Sequence, residues 1–325
     1  MRKFLLYVCG LCAMYNAYAV ERGWAPATAD SAHNISQWKR WWKYVFAKEK
    51  IYSIVTLRSG LQVEIYPRNE IYKALYVRKS YHPNLLYILN SLIPSDGVFI
   101  DVGAGFGLIA LSVAQNSNRK VYAIEPSARD YQRLLKNQAL NGLHHVVCSQ
   151  VAIATQDAEQ KLLIATDDRS YGNTTLSKFR SKEFVLSHAE NVPGLRMSSY
   201  VHQHGIRRID AIHLDLDDVD CSVLSSMEGV VRQYHPVLAI NLYVMDFYSK
   251  KYFEAVRDVI TSWGYVMYRL VQDGDFSLQP INSYSELDGH YLICVPEGRE
   301  MPKMPVVEEA SMLQKVKTFF SCEGE

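Results

Sequence analysis

The chain has 325 residues, of which 48% are hydrophobic and 21% are charged, and its formal net charge is +1. This composition is typical of a globular protein with a sizeable core, and the near-zero charge lacks the basic footprint of a nucleic-acid-binding protein. Beyond the N-terminus, no stretch is long and apolar enough to cross a bilayer. We therefore expect no nucleic-acid partner and no stable membrane span.

The N-terminus carries the features of a targeting segment. A basic start, Met1-Arg2-Lys3, precedes a mostly apolar run, and Ala17-Tyr18-Ala19 offers a small-x-small cleavage site. This pattern predicts a secretory signal peptide over residues 1–19, which places the mature chain outside the cytosol in a secreted, periplasmic or lumenal setting. The alternative is an uncleaved anchor or a cytoplasmic protein.

Residues 20–90 predict an N-terminal extension made of a helix and a hairpin. The run "WKRWWKYVFAKEK" has aromatic residues at helical spacing, which indicates an amphipathic helix packed on the main domain, with a membrane-surface helix as the alternative. The run "IYSIVTLRSGLQVEIY" reads as two short strands around Ser59-Gly60.

Residues 91–296 alternate between apolar strands and helices. The strands begin with "GVFIDVG", "KVYAIEP", "HVVCSQVAIA", "IDAIHLD" and "HPVLAINLY", and two more, "GYVMYRL" and "HYLICVP", close the domain. Strands that are apolar throughout and alternate with helices predict a sheet covered on both faces. We expect an α/β fold with a doubly wound, mostly parallel, seven-stranded Rossmann-like sheet, followed by a C-terminal tail over residues 297–325.

A glycine-rich loop follows the first of these strands. Gly103, Gly105 and Gly107 are spaced G-x-G-x-G, which differs from the dinucleotide spacing G-x-G-x-x-G. Asp101 directly precedes the loop, where a carboxylate would repel a pyrophosphate and attract an ammonium group. Glu125 ends the second strand, where an acid can bind both hydroxyls of a ribose. A ligand with a ribose, an ammonium group and no phosphate matches these features, and S-adenosyl-L-methionine is such a ligand, whereas NAD matches only the ribose.

The segments "VFIDVGAGFGLIAL", "VYAIEPS" and "RIDAIHLDLDDVDCSVL" resemble the FkbM family of S-adenosylmethionine-dependent methyltransferases. The resemblance implies a class I methyltransferase sheet and O-methylation of a hydroxyl on a natural product or sugar. The family pattern after the fourth strand reads Lys-Ile-Asp-Val-Glu-Gly-x-Glu. This chain has His213 at the lysine position, and Asn241 stands where a glutamate is typical after the fifth strand.

The candidate site lies at the carboxyl ends of these strands. Asp215 is the main candidate for a base or acceptor anchor, and His213 points to the same face of its strand. Asp217, Asn173 and Asn241 are candidate substrate-binding residues. We expect no metal, although Asp215, Asp217 and Asn241 could imitate the oxygen ligands of catechol-type methyltransferases.

The sequence therefore predicts an S-adenosylmethionine-dependent O-methyltransferase for a glycan or small metabolite. The alternative is an exported, non-catalytic binding protein that keeps the methyltransferase scaffold, because a signal peptide would carry the domain away from cytosolic S-adenosylmethionine.

Overall fold

The computed structural model describes residues 53–65, 72, 75–76, 78–165, 174–175, 186–215, 221–242, 249–270, 278–287 and 291–300. The predicted signal peptide, the predicted helix before residue 51 and most of the C-terminal tail lie outside these residues. No helix in the described part of the chain is long and apolar enough to cross a membrane.

An eight-stranded sheet forms the centre of the fold. In chain order its strands are β3 (Val98–Val102), β4 (Lys120–Ile124), β5 (Val147–Ser149), β10 (Ala211–Leu214), β11 (Val237–Asn241), β12 (Tyr265–Leu270), β13 (Leu278–Pro280) and β14 (Tyr291–Pro296). Their spatial order is β13-β12-β14-β11-β10-β3-β4-β5. The predicted mostly parallel sheet is confirmed, with one added strand, because the short β13 extends the edge beyond the predicted seven.

The order of the strands reverses between β3 and β10. The chain moves outward from β3 through β4 to β5, then returns to place β10 on the other side of β3, and all these pairs are parallel. In open α/β sheets, ligands bind at such a reversal, in the crevice beyond the carboxyl ends of the strands. The segments after Val102 and Leu214 therefore border the expected crevice.

Helices cover both faces of the sheet. In chain order they are α1 (Pro83–Leu92), α2 (Leu108–Ala114), α3 (Ala128–Leu140), α4 (Met197–Gln203), α5 (Cys221–Ser226), α6 (Glu228–Tyr234) and α7 (Ser249–Ser262). The first three pack on one face and the last four on the other. A 3₁₀ turn, Tyr284–Glu286, precedes β14.

Alternate residues of each strand enter opposite cores. Phe99 and Ala211 belong to the core under α1 and α2, whereas Ile100 and Ile212 belong to the core under α4 to α7. This follows from the two-residue period of a strand. Because both faces are buried, β3 has no exposed position, which explains why it is apolar at every position except Asp101.

The predicted hairpin forms and joins the main core. Its strands β1 (Ser53–Thr56) and β2 (Gln62–Ile65) pair antiparallel. Asn141, at the end of α3, accepts the Gln62 N–H and donates its own amide to the Gln62 carbonyl, both at 2.7 Å. Hairpin residues share a core with the large sheet, and the expected boundary at 90/91 falls inside α1. The extension is thus continuous with the large sheet.

The predicted third strand, residues 145–154, is divided between two sheets. The chain leaves the large sheet after Ser149, and β6 (Ala152–Ile153) starts a second, four-stranded sheet. That sheet also contains β7 (Glu159–Ala165), β8 (Thr174–Thr175) and β9 (Leu186–Leu195). The apolar run "HVVCSQVAIA" does not reveal this division, since both halves are suitable for strands.

Candidate active site

The glycine loop turns sharply because two neighbouring segments pass close to it. Gly103 has a φ of +79°, and a Cβ there would lie 2.0 Å from the backbone oxygen of Asp215. Gly107 has a φ of +94°, and a Cβ there would lie 2.6 Å from a methyl group of Leu134. Glycine is therefore required at both positions by backbone conformation and by space. The tight loop brings the end of β10 against the start of α2.

Asp101 and His213 form a buried pair on neighbouring strands. They are register partners in the parallel pairing of β3 with β10, so their side chains lie on the same face. His213 Nδ1 is 2.7 Å from Asp101 Oδ1, and Asp101 Oδ2 accepts the backbone N–H of Ala110 at 2.9 Å. Each side chain of the pair is only 1–2% exposed. Both oxygens of Asp101 thus have partners within the protein.

The alanines beside this pair leave space around it. In the same row across the sheet, Ala123 is the register partner of Asp101, and Ala239 is the register partner of His213. The small side chains mean that the imidazole and the carboxylate meet without competition from bulky neighbours.

The second ring nitrogen of His213 has a different environment from the first. His213 Nε2 is buried and has no hydrogen-bond partner. Burial opposes the positive charge of the ring, but the charge and hydrogen bond of Asp101, together with the charge of Asp215, raise the pKa of His213 above its ordinary value. A histidine that is held at Nδ1 and open at Nε2 can exchange a proton at Nε2.

Asp215 is held beside this pair by Asn241. The Asn241 Nδ2 group donates to Asp215 Oδ1 at 2.8 Å, and the Asn241 Oδ1 atom is buried without a hydrogen-bond partner. A typical family glutamate at position 241 would set two carboxylates against each other here, whereas an asparagine supplies a donor. The arrangement turns an amide nitrogen, which cannot bind a cation, toward the carboxylate.

These groups line one small cavity at the carboxyl end of β3 and β10. Its walls are Tyr81, Asp101, Gly103, Ala104, Leu108, Ile109, His213 and Asp215. The cavity measures about 10 Å³, roughly the space of one water molecule. A nucleoside-sized ligand at this position would therefore require neighbouring groups to move.

Glu125 lies on the other side of the glycine loop and is absent from the walls of that cavity. Its carboxylate accepts the backbone N–H groups of Gly105 and Ser127, each at 2.8 Å. Burial, and then the negative charge of Asp130, raise the pKa of Glu125 to about 8, although the two backbone donors act in the opposite direction. The two acids that the sequence placed together therefore face different surroundings: Asp101 faces the cavity and Glu125 faces the loop backbone.

Two predicted site residues, Asp217 and Asn173, lie outside the described part of the chain. Among the residues that the structure describes, no cluster of three His, Cys, Asp or Glu side chains could hold a metal ion.

The segment before α1 contributes residues that the sequence reading missed. Tyr81 forms a wall of the cavity, and His82 has a left-handed backbone, with φ at +37°. The His82 ring lies 5.0 Å from that of Tyr291, which in turn lies 5.9 Å from the ring of His213. The only sequence signal was His82-Pro83 at the start of a helix, because a proline favours the first helical position.

Comparison with known proteins identifies the family. The model of the methyltransferase FkbM domain matches residues 101–267, about half of the chain. No curated protein matches significantly. Among solved structures, a methyltransferase FkbM from Methylobacillus flagellatus KT is 14% identical, with a TM-score of 0.37, and the match covers 55% of this chain and 41% of that one.

Two other solved structures resemble parts of the fold. TYW2 of M. jannaschii, in complex with AdoMet, is 15% identical, with a TM-score of 0.37 and coverage of 76% of this chain and 87% of that one. An rRNA methylase from Streptococcus thermophilus is 14% identical, with a TM-score of 0.38 and coverage of 65% and 93%. The family match includes the glycine loop, the Asp101–His213 pair and β11, and on that basis the chain belongs to the FkbM methyltransferase family.

Proposed function

We propose that this protein is an S-adenosylmethionine-dependent O-methyltransferase that acts on a hydroxyl group of a glycan or small metabolite. The observation that carries the proposal is the buried Asp101–His213 pair, whose open Nε2 lies at a cavity beside the glycine loop. A hydroxyl group must lose its proton when it is methylated, and a neutral imidazole with an open ring nitrogen can accept that proton.

The residues around the loop suit the cofactor in two respects. Gly103, at the turn of the loop, lines the cavity without a side chain, and Asp101 and Asp215 give the cavity a negative wall for a cationic ligand. Glu125 keeps lone pairs beyond its two backbone hydrogen bonds and would serve the ribose. When bound, S-adenosylmethionine supplies the methyl group as part of a positively charged sulfonium.

His213 is a better candidate for the base than Asp215. Asp215 Oδ1 is engaged by the Asn241 amide, whereas His213 Nε2 has no partner. Asp101 acts as a positioning residue, because its hydrogen bond fixes the ring and favours the tautomer that carries its proton at Nδ1. Asp215 and Asn241 would then anchor the acceptor, the latter through its unpartnered Oδ1.

Calorimetry tests the cofactor assignment directly. The full chain should bind both S-adenosylmethionine and S-adenosylhomocysteine, and replacement of Asp215 by Asn should weaken binding of the charged ligand. The exposed Asp157, which pairs with Arg196 away from the site, gives the control D157N, which should bind both ligands as the wild type does. Absence of binding to both ligands by the wild type would contradict the proposed function.

The acceptor class is tested with S-adenosylmethionine that carries a tritiated methyl group. We expect label to enter methyl glycosides or catechol and not transfer RNA, in line with the net charge of +1. Products that keep their label in alkali are ethers, whereas methyl esters lose it. Label in the RNA, or label lost in alkali, would contradict methylation of a hydroxyl on a small acceptor.

The compartment is a separate proposal that rests on the predicted signal peptide over residues 1–19. We propose that the chain is exported and meets its cofactor in a compartment that imports it. Mass spectrometry of the protein from its native cells should find an N-terminus at Val20. An intact Met1 would favour the anchored or cytoplasmic alternative.

A further inference from the structure

The imidazole of His213 shares its cavity with the position at which a ligand of the glycine loop would lie. We propose that His213 gives up its proton when a positively charged ligand binds there, so that the charged methyl donor competes with protonation of His213 and the uncharged product does not. The inference rests on the proposed function, since the ligands concerned are S-adenosylmethionine and S-adenosylhomocysteine.

Two hydrogen bonds fix the imidazole for such an exchange. Nδ1 is held by Asp101 Oδ1 at 2.7 Å, and Asp101 is itself held by the N–H of Ala110. The ring therefore cannot rotate away from an incoming charge without loss of a buried ion pair. Nε2 has no partner, so the proton at that nitrogen can leave without breaking a hydrogen bond within the protein.

The burial of the imidazole makes the coupling strong. His213 is 1% exposed and forms a wall of the cavity, so a positive charge admitted beside the glycine loop would be poorly screened from the ring by water. A nearby like charge disfavours the protonated form of a histidine. The positive charge of the ligand and the positive charge of the protonated His213 ring therefore disfavour each other.

Several other groups lie near the ring. Asp101 on β3 and Asp215, directly after β10, both favour the protonated ring. Tyr291 on β14 remains a neutral phenol, because burial raises its pKa far above neutrality. In the segment before α1, Tyr81 lines the cavity, and the ring of His82 contacts the ring of Tyr291. The cavity-lining residues of α2 are uncharged.

The pKa of Glu125 is raised to about 8, within the pH range of the test, and its effect can be separated. It contacts the loop on the ribose side, a part that the two ligands share, so its ionisation changes both affinities alike. This contribution cancels when one dissociation constant is divided by the other. The ratio therefore reports only the group that responds to the charge on sulfur.

The proton balance links binding to the proposed reaction. Binding of the charged donor releases the His213 proton to solvent and leaves Nε2 with a free lone pair. The hydroxyl proton of the acceptor then passes to Nε2 as the acceptor oxygen gains the methyl group, and sulfur keeps the electron pair of the broken bond. His213 is protonated again beside a neutral product, so one proton is released per binding event and one is regained per transfer.

Titration calorimetry of the full chain at pH 5.5, 7.0 and 8.5 tests this inference. The ratio of the dissociation constant for S-adenosylmethionine to that for S-adenosylhomocysteine should fall by at least about tenfold from pH 5.5 to 8.5. At pH 7.0, buffers with different ionisation enthalpies should reveal proton release with the first ligand and not with the second.

Variants at position 213 sharpen the test. H213N keeps a donor for Asp101 and cannot titrate, and H213K keeps a positive charge throughout this range, so the ratio should be flat with pH in both. The exposed histidine control, H202N, should behave as the wild type does. If the position 213 variants do not fold, the proton release measured with the wild type still tests the inference.

Binding of both ligands with a constant ratio and no selective proton release would overturn the inference and leave the proposed function intact. Binding of neither ligand would overturn the proposed function itself.

Discussion

The carboxylate of Glu125 accepts the backbone N–H of Gly105 at 2.8 Å, across the turn between β3 and α2. The acid that the sequence assigns to a ribose therefore also fixes the conformation of the glycine loop. The same carboxylate accepts the N–H of Ser127 just before α3, so one side chain joins the loop after β3 to the helix after β4.

Ionisation of Glu125 should make the protein less stable as pH rises. Its pKa is raised to about 8 in the folded chain, from an ordinary value of 4.5, so the folded state binds the proton more tightly than the unfolded state. The resulting stabilisation is full below pH 4.5 and is lost as pH rises through 8, by about 1.4 kcal/mol per pH unit at most.

Urea denaturation of the wild type and E125Q at pH 5, 6, 7 and 8 measures this loss. The free energy of unfolding of the wild type should fall relative to that of E125Q across the series. The exposed Glu228 gives the control E228Q, which should keep the wild-type pH dependence. Parallel curves for the wild type and E125Q would show that the group does not titrate in this window.

Substitution of Gly103 by alanine should disrupt the contact between the loop and β10. The backbone has a φ of +79° at both Gly103 and Gly264, but a Cβ meets the Asp215 oxygen at 2.0 Å in the first case and nothing within 4 Å in the second. G264A therefore reports the backbone cost alone, about 1 kcal/mol. G103A should cost at least about 2 kcal/mol more in chemical denaturation, and equal losses would contradict the close approach.

The pair of Asn241 and Asp215 should show a measurable coupling energy. N241D places a carboxylate against Asp215 and should destabilise the chain, whereas the exchange D215N/N241D restores one donor and one acceptor. A double-mutant cycle by thermal denaturation should give a coupling of about 1–2 kcal/mol in favour of the exchanged pair. Additive effects of the two substitutions would argue that the 2.8 Å contact contributes nothing.

Arg119 should be one of the most sensitive polar positions in the fold. Its guanidinium is largely buried and donates to carbonyls at the end of α1, in the turn after it, and in α2 (Asn90, Ile93, Pro94 and Val113). The Pro94 and Val113 carbonyls also accept the Gly97 N–H and the Ser117 hydroxyl. The Asn90 and Ile93 carbonyls lack a helical partner at the end of α1, so removal of the donor leaves these two acceptors unsatisfied.

We expect R119M to lower the free energy of unfolding by about 3 kcal/mol or more, and R119K to lie between R119M and the wild type. The control R257M removes an arginine that pairs only with its neighbour Asp258 at the surface, and should change stability by less than about 1 kcal/mol. Similar losses for R119M and R257M would contradict the structural role of Arg119.

The sequence was sufficient to predict the alternation of strands and helices and the position of the glycine loop. The residues of β3 are apolar apart from Asp101, and such a segment is buried in a sheet that is covered on both faces. This requirement is local and can be read from the sequence. The split of residues 145–154 between two sheets was not predictable, because it depends on β9, which lies more than thirty residues further along the chain.

The same division applies to the candidate site. The sequence alone placed Asp101, His213, Asp215 and Asn241 at strand ends, since chemistry and chain order suffice for that. Only the tertiary structure decided which of them pair, because the register of β3 with β10 sets Asp101 beside His213, and the tight loop turns Glu125 toward backbone donors. Side-chain partners across a sheet are chosen by register and packing, which are properties of the folded chain as a whole.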